Sequence, residues 1–310
     1  IGGSAAAIGC IEGVRSVDKT GEIILITGET EWNYSRPLIS YLLEGKTTRD
    51  KMWCRPDSFF TRNGVTVKAG VLATALDAGD RTVRLSTGER LAYDRLLAAT
   101  GSRPFVPPIP GLETVERTFC FQTLSDASAL AEALRPESRV LILGAGLTGV
   151  KCAEGIRGLC AQIAIADLAP RVLPAVLDDT AAAMVQARME EKGVRFYLND
   201  SAAAFRGNTA RLQSGTELEF DVLVTAVGVR PNTQLVADAG GAVDRGILVD
   251  GRCATTLPDV YAAGDCAQGY DAVSGEKRML PLWPNAVLQG ETAGINMAGG
   301  RADYTQGIAL

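Results

Sequence analysis

"RVLILGAGLTGVKCAEGIRGLCAQIAIADLAPRVLP", residues 139–174, decides the fold. Val140–Leu143 is a continuous apolar run of strand type, and Gly144, Gly146 and Gly149 follow with GxGxxG spacing. A helical stretch then runs from about Leu147 to Leu159, with Cys152, Ile156 and Leu159 on one face. A second strand, Ile163–Ala166, ends at Asp167. Strand, glycine turn, helix, strand and acid in that order make a dinucleotide-binding βαβ unit. Gly144 allows the tight turn, Gly146 lets the backbone approach a pyrophosphate, and Gly149 lets the helix pack close to the strand. Leu147 and Thr148 open the helix, whose unpaired N–H groups face the phosphates. Asp167 lies 23 residues past Gly144, near the spacing of ~20 expected for the ribose ligand. An ordinary glycine-rich turn is the competing reading, and the complete context weighs against it.

The first 29 residues, "IGGSAAAIGCIEGVRSVDKTGEIILITGE", read as a worn version of the same unit. Gly2, Ser4 and Ala7 stand at the three glycine positions. A small-residue helix, the strand Ile23–Thr27 and Glu29 follow. Only Ile1 remains of the strand that should precede Gly2, so a few N-terminal residues are expected to be missing.

A repeat ties the two units together. "RLSTGERLAYDRLLAATGSRP" (84–104) aligns without a gap on "RLQSGTELEFDVLVTAVGVRP" (211–231), with ten identities in 21 positions. Each copy reads as a hairpin turning at Thr87-Gly88 or Ser214-Gly215. A buried strand follows and ends at Ala99-Thr100-Gly101 or Ala226-Val227-Gly228. The predicted fold class is therefore α/β, with two Rossmann-like dinucleotide-binding domains. Such sheets bind ligands at the carboxyl ends of their strands. The first unit carries extra residues, placed in "WNYSRPLISYLLEGKTTRDKMWCRPDSFF" (32–60). Two nucleotide units imply two nucleotides, and hydride transfer between a nicotinamide and a flavin is the economical chemistry.

Composition narrows the classes. The 310 residues are 46% hydrophobic, enough for two cored domains. The net charge of −5 suggests no nucleic-acid surface. No apolar run reaches the ~18 residues of a membrane span. Histidine is absent, which excludes a His base, a His metal ligand and a Ser-His triad within these residues. The seven cysteines form neither a CxxC pair nor a zinc quartet, so no metal site is expected. They read as reduced thiols of a cytoplasmic protein.

These motifs resemble the two-dinucleotide-binding flavoproteins of the pyridine nucleotide–disulfide oxidoreductase family. The likeness rests on the N-terminal fingerprint, "LLAATGSRP", "LGAGLTGVKCAE", "TAVGVRPN" and "GILVDGRCATTLPDVYAAGDCA", in the family's order. It implies an FAD domain split into 1–112 and 236–310, with an NAD(H) domain, 113–235, inserted in it. It also implies that Asp265 of the Gly264-Asp265 pair bonds the flavin's ribityl chain. Glu29 would be the flavin-side acid. A helix starting at Pro284 or Asn285, with Ala286 in its first turn, would face the flavin's O2 and N1 end, and Trp283 would cover the ring. The usual C-terminal interface domain is expected to be absent, the chain being a natural short form or a fragment.

"YSRPLISYLLEGK" (34–46) selects the branch. Disulfide reductases carry a CxxxxC pair there, and NADH oxidases and peroxidases a single redox cysteine. This stretch has neither, with Ser40 the nearest isostere. Arg36-Pro37 and that serine resemble the "Y-x-R-P-x-x-S" segment of rubredoxin and ferredoxin reductases and of the flavin part of NADH-dependent nitrite reductases. Two departures stand out. Tyr41 stands where many ferredoxin reductases have Lys. Lys151 stands where a Glu often lies near the nicotinamide. The group at flavin N5 stays unnamed.

The resemblance implies an NADH oxidoreductase passing electrons through FAD to a small rubredoxin- or ferredoxin-like protein, with no catalytic side chain of its own. Asp167 favours NAD(H) over NADP(H) by repelling a 2′-phosphate, a preference that Arg171 would soften. No membrane insertion is expected, and a homodimer stays open. An NADH oxidase, peroxidase or thiol-linked reductase is the runner-up. A flavin-binding regulatory protein is the reading from another class.

Overall fold

The computed structural model describes residues 1–308. Its helices, in chain order, are α1 (Ala5–Val17), α2 (Ile39–Leu43), α3 (Asp57–Arg62), α4 (Leu124–Ala133), α5 (Leu147–Ile156), α6 (Asp179–Glu190), α7 (Gln234–Asp238) and α8 (Trp283–Met297). They join the strands in two compact units. The first comprises Ile1–Ser35, Trp53–Ser102 and the chain from Pro231 onward; the second comprises Arg36–Met52 and Arg103–Arg230. The main difference from the expected boundaries is residues 36–52, which lie in the second unit. The cause is packing. A Cβ built on Gly155 of α5 would stand 3.0 Å from the Ser40 carbonyl oxygen, so α2 and α5 touch nearly backbone to backbone. Arg36 Nη1 donates to the Gln122 carbonyl at 3.0 Å, and Arg49 Nη2 to Ser128 Oγ at 2.9 Å.

The second unit is built on a five-stranded parallel sheet. Its order is Val194–Leu198, Gln162–Asp167, Arg139–Leu143, Val222–Thr225, Thr118–Phe119. The three central strands are runs of Val, Ile, Leu and Ala, as a sheet covered on both faces requires. Leu141, Ile142, Leu143, Ile165, Leu223 and Val224 are fully buried. A three-stranded antiparallel sheet, Ala202–Arg206, Thr209–Leu212 and Glu217–Glu219, contributes Phe205, Ala210 and Leu212 to the same core.

The first unit carries the counterpart, Ala73–Asp77, Thr82–Leu85 and Arg90–Ala92. Its Leu76, Val83 and Leu85 pack with Ile26, Leu96 and Val260. The repeated hairpin is thus the last two strands of a three-stranded sheet, and each sheet shifts register at the same place, Ala73/Ala75 or Ala202/Ala204. Two parallel pairs lie in the same unit. Ile23–Thr27 pairs with Val65–Ala69, and Leu96–Ala98 with Val260–Ala262. Ile1 and Gly2 bridge these pairs: the Ile1 amine donates to Leu97 O, Ala99 N to Ile1 O and Gly2 N to Ile26 O, each at 2.7 Å.

Helices α1 and α8 approach backbone to backbone. A Cβ on Gly290 would lie 2.0 Å from the Ala6 carbonyl oxygen, and one on Gly294 would lie 2.2 Å from that of Cys10. A side chain at either glycine would force the helices apart. This contact ties the start of the chain to its last helix.

Candidate functional site

Among the described residues five helices have ten residues or more, and they divide by how they begin. Thr123 caps α4 by accepting from Asp126 N, with the Asp126 carboxylate bonding back, and Asp178 caps α6 by accepting from Ala181 N. No side chain caps α1, α5 or α8, which begin after Ser4, Gly146 and Leu282. An N-terminus without a capping side chain keeps orphan N–H donors and the positive end of its dipole for an anion or polar ligand. These are the three helices that the sequence motifs aim at cofactors.

In the second unit the turn is built around one close approach. Gly144 has φ +108°, and a Cβ there would lie 2.4 Å from the Ala226 carbonyl oxygen. Ala226 N in turn donates to Leu143 O at 2.8 Å. The strand of the repeat is therefore the neighbour that demands the first glycine. Gly149 packs onto the turn itself, where a Cβ would meet Gly144 O at 1.9 Å, while Gly146 faces open space. Leu147 is 56% exposed and Thr148, Val227 and Gly228 are also exposed at this end of the sheet. An exposed leucine and valine beside a bare helix start offer an apolar rim around an anion site. Asp167 is anchored at the turn, its carboxylate accepting from Ala145 N at 2.5 Å and from Ala169 N at 2.7 Å.

Arg171 is turned to its own loop. It donates to Leu177 O at 3.1 Å and pairs with Asp179. Arg36 and Pro37 begin a 3₁₀ turn, Arg36–Leu38, within this same unit, with Pro37 exposed.

The first unit repeats the device. Gly2 has φ +117°, and a Cβ there would lie 2.0 Å from the Ala99 carbonyl oxygen. Thr100 Oγ1 donates to Asn232 O at 2.6 Å, and Asn232 Nδ2 returns a bond to Thr100 O at 2.9 Å. This pair sets the turn at Gly101. The strand Val260–Ala262 runs beside the repeat and delivers Gly264-Asp265 to the same end, where Asp265 accepts from Ser102 Oγ at 3.1 Å. A Cβ on Gly264 would touch Ala6 and Ala286 at 3.3 and 3.5 Å, so the starts of α1 and α8 meet beside this acid. At the end of the strand Ile23–Thr27, Glu29 accepts from Tyr34 Oη at 2.7 Å.

Helix α8 starts at Trp283, one residue before Pro284. Trp283 is 40% exposed, so core packing does not hold it. Asn285 is buried and looks inward: Nδ2 donates to Ile308 O at 2.8 Å, and Tyr304 Oη donates to Oδ1 at 3.0 Å. What it offers a ligand is its backbone N–H.

Sequence reasoning missed two supporting residues. Gln289 Oε1 accepts from Gly264 N at 2.7 Å and sets the angle of the Gly264-Asp265 turn. Asn33 clamps the loop after the first acid, donating to Arg55 O at 2.6 Å. The signal for Gln289 was present: with Asn285, Ala286, Gly290 and Ala293 it lies on the buried face of α8, a long polar residue among mostly small neighbours.

The residues fit dinucleotides. Each unit pairs an uncapped helix with a glycine whose missing side chain leaves room for a neighbouring carbonyl, and each has an acid at the end of the next strand. Cys266 is fully buried and donates to Ala98 O at 3.2 Å; burial raises its thiol pKa above the ordinary value, which suits packing rather than redox work. Among the described residues all seven cysteines are free, and no helix is long and apolar enough to cross a membrane.

The chain is similar to known proteins. The chain is 33% identical over 315 residues to the NADH-dependent phenylglyoxylate dehydrogenase subunit epsilon of Aromatoleum evansii, covering 100% of this chain and 74% of that one. It is 28% identical to the rubredoxin-NAD(+) reductase of Pseudomonas putida, covering 96% and 79%. The fold superposes on the covalent putidaredoxin reductase–putidaredoxin complex with a TM-score of 0.89 at 26% identity, covering 97% of this chain and 74% of that chain. The model of the pyridine nucleotide-disulphide oxidoreductase family matches residues 1–290. The chain belongs to that family, and it is an oxidoreductase.

Proposed function

We propose that this chain binds FAD in its first unit and NADH in its second, and passes electrons from NADH through the flavin to a small iron–sulfur protein of the rubredoxin or ferredoxin kind. The observation that carries this reading is the division of the long helices: α1, α5 and α8 begin without a capping side chain, while α4 and α6 are capped. The Gly2–Ser4 turn would take the FAD pyrophosphate, Glu29 its ribose and Asp265 its ribityl chain. The N-terminus of α8 would stabilise negative charge on the reduced ring. The Gly144–Gly149 turn would take the NADH pyrophosphate. Asp167, which accepts from the backbone N–H groups of Ala145 and Ala169, would bind the adenosine ribose hydroxyls, which favours NADH over NADPH. FAD held by these residues would supply the hydride and electron chemistry, so the chain itself would need no histidine and no redox cysteine.

The acceptor class is supported by the cysteine-free stretch at 34–46 and by the likeness to a rubredoxin-NAD(+) reductase and to a putidaredoxin reductase. A cytoplasmic location is supported by the free thiols.

Anaerobic titration of the flavin-loaded protein with NADH, followed in a stopped-flow spectrophotometer, tests the reading. Flavin bleaching at a catalytically useful rate is expected, with rapid reoxidation by rubredoxin or ferredoxin. Failure to bleach ends the enzyme reading, and rapid reoxidation by peroxide or a disulfide moves the assignment to the runner-up. Asp167→Ala should weaken NADH about tenfold, the ~1.4 kcal/mol of one charge-assisted hydrogen bond, and leave flavin affinity unchanged.

A further inference from the structure

Both departures from the family pattern meet at one point. Lys151, on the second turn of α5, holds its ammonium 4.2 Å from the centroid of the Tyr41 ring on α2. That is a close cation–π contact. Lys46 lies 5.7 Å from the same centroid. Carboxylates complete the cluster: Glu154 pairs with Lys151, and Glu44 pairs with Lys46 at 2.8 Å. Lys151 and Glu154 are each under 30% exposed, so the contact is only partly screened by water. One helical turn along α5 from Lys151, Gly155 lies against the Ser40 carbonyl. The two helices are thus joined by a backbone contact at one end and by a charged aromatic contact at the other.

The elements joined are not arbitrary. Helix α5 begins at the Gly144–Gly149 turn, and Lys151 is two residues beyond Gly149. Helix α2 follows directly on the Arg36–Leu38 turn. A change in how α2 sits on α5 therefore moves Arg36-Pro37 relative to the nucleotide turn, within one compact unit. Lys151 on α5 carries the cation, and Tyr41 on α2 presents an aromatic ring, which attracts a cation through its negative face.

We propose that the Tyr41–Lys151 contact is a positioning device: it fixes segment 36–52 on the nicotinamide-binding helix and thereby sets the rate at which NADH reduces the flavin. This rests on the function proposed above. Lys151 acts through Tyr41 and is not itself a catalytic residue.

The test is a reciprocal exchange in the flavin-loaded protein. Tyr41→Lys alone places a third ammonium beside Lys46 and Lys151. Lys151→Glu alone places a carboxylate beside Glu154 and removes the cation from the ring. Each should lower the limiting rate of anaerobic flavin reduction at least fivefold, with flavin content and NADH Kd within twofold of the parent. The double variant Tyr41→Lys/Lys151→Glu should recover the limiting rate to within twofold, because it rebuilds an attraction between the same two positions. Tyr41→Phe, which keeps the ring, should stay within twofold. Should a charge-changing variant fail to fold, Tyr41→Leu and Lys151→Gln take its place, each expected to slow reduction threefold or more. Single variants as fast as the parent overturn the proposal, as does a double variant whose loss is the product of the two single losses. If NADH does not bleach the parent protein at all, the underlying reading fails and takes this proposal with it. A parent that bleaches while the exchange shows no rescue fails the contact alone.

Discussion

The two glycine turns are the same device under different constraints. At the first position both units have glycine, and in both the reason is a carbonyl of the repeated phrase: Ala99 O beside Gly2 and Ala226 O beside Gly144. At the third position they part. A Cβ on Gly149 would collide with Gly144 O, whereas Ala7 carries its methyl group in an apolar cluster with Ile8, Leu25 and Phe60. The second position differs too: Ser4 does not cap its helix, and Gly146 has no side chain with which to cap one. A fingerprint is therefore three separate physical demands. The first comes from the neighbouring strand, the second from the ligand's approach and the third from how tightly the helix returns to the turn.

The largest expected effects lie at the first position. Gly2→Ala and Gly144→Ala each combine a positive φ with a carbonyl overlap, so the turn must open. Gly144→Ala should cost NADH at least 100-fold in affinity, about 2.7 kcal/mol, with flavin retained. Gly2→Ala should release flavin while NADH still binds, as read by isothermal titration. If both variants weaken the same ligand, the two turns do not serve two nucleotides. At the third position the exchange is asymmetric. Gly149→Ala overpacks the turn and should destabilise the protein by about 2 kcal/mol. Ala7→Gly loses helix propensity and should cost ~1 kcal/mol. Denaturant midpoints report both, and equal costs would erase the distinction drawn between the turns.

What could be read in advance follows the same division. Gly144, Gly146, Gly149 and Asp167 are local demands, and local spacing reported them. The repeat reported the two strands that sit beside the turns. Residues 36–52 group with the second unit for a physical reason: α2 meets α5 at Gly155, and no period or turn signal within "YSRPLISYLLEGK" encodes that contact. The Asn285 and Arg171 side chains bond Ile308, Tyr304 and the loop at 174–179, contacts that their motif positions do not report. Motif position fixes a backbone, whereas a side chain goes where its nearest partners are.

The smallest effect tests the repeat at its first conserved acid. Asp221 and Asp94 occupy the same place in the phrase but not the same environment. Asp221 accepts from Arg139 through its backbone N at 2.8 Å, its Nε at 3.2 Å and its Nη2 at 3.1 Å. The Arg139 side chain, with its backbone N–H, holds the Asp221 carboxyl below the usual range. Asp94 is exposed, and in its unit Asp259 takes the role, pairing with Arg81 and with Arg95 at 2.9 Å. The Asp221 side chain is 39% exposed, so solvent screening limits its worth to about 1 kcal/mol. Asp221→Asn should cost that much at neutral pH, and Asp94→Asn almost nothing. A carboxylate with a lowered pKa stabilises the fold above its unfolded pKa and ceases to as pH falls through the folded one. The gap between Asp221→Asn and the parent should therefore close on acidification below the ordinary carboxylate range. A gap that persists in acid would mean that Asp221 works through its shape and neutral hydrogen bonds, and that the acid shared by the two copies is inherited rather than used for its charge.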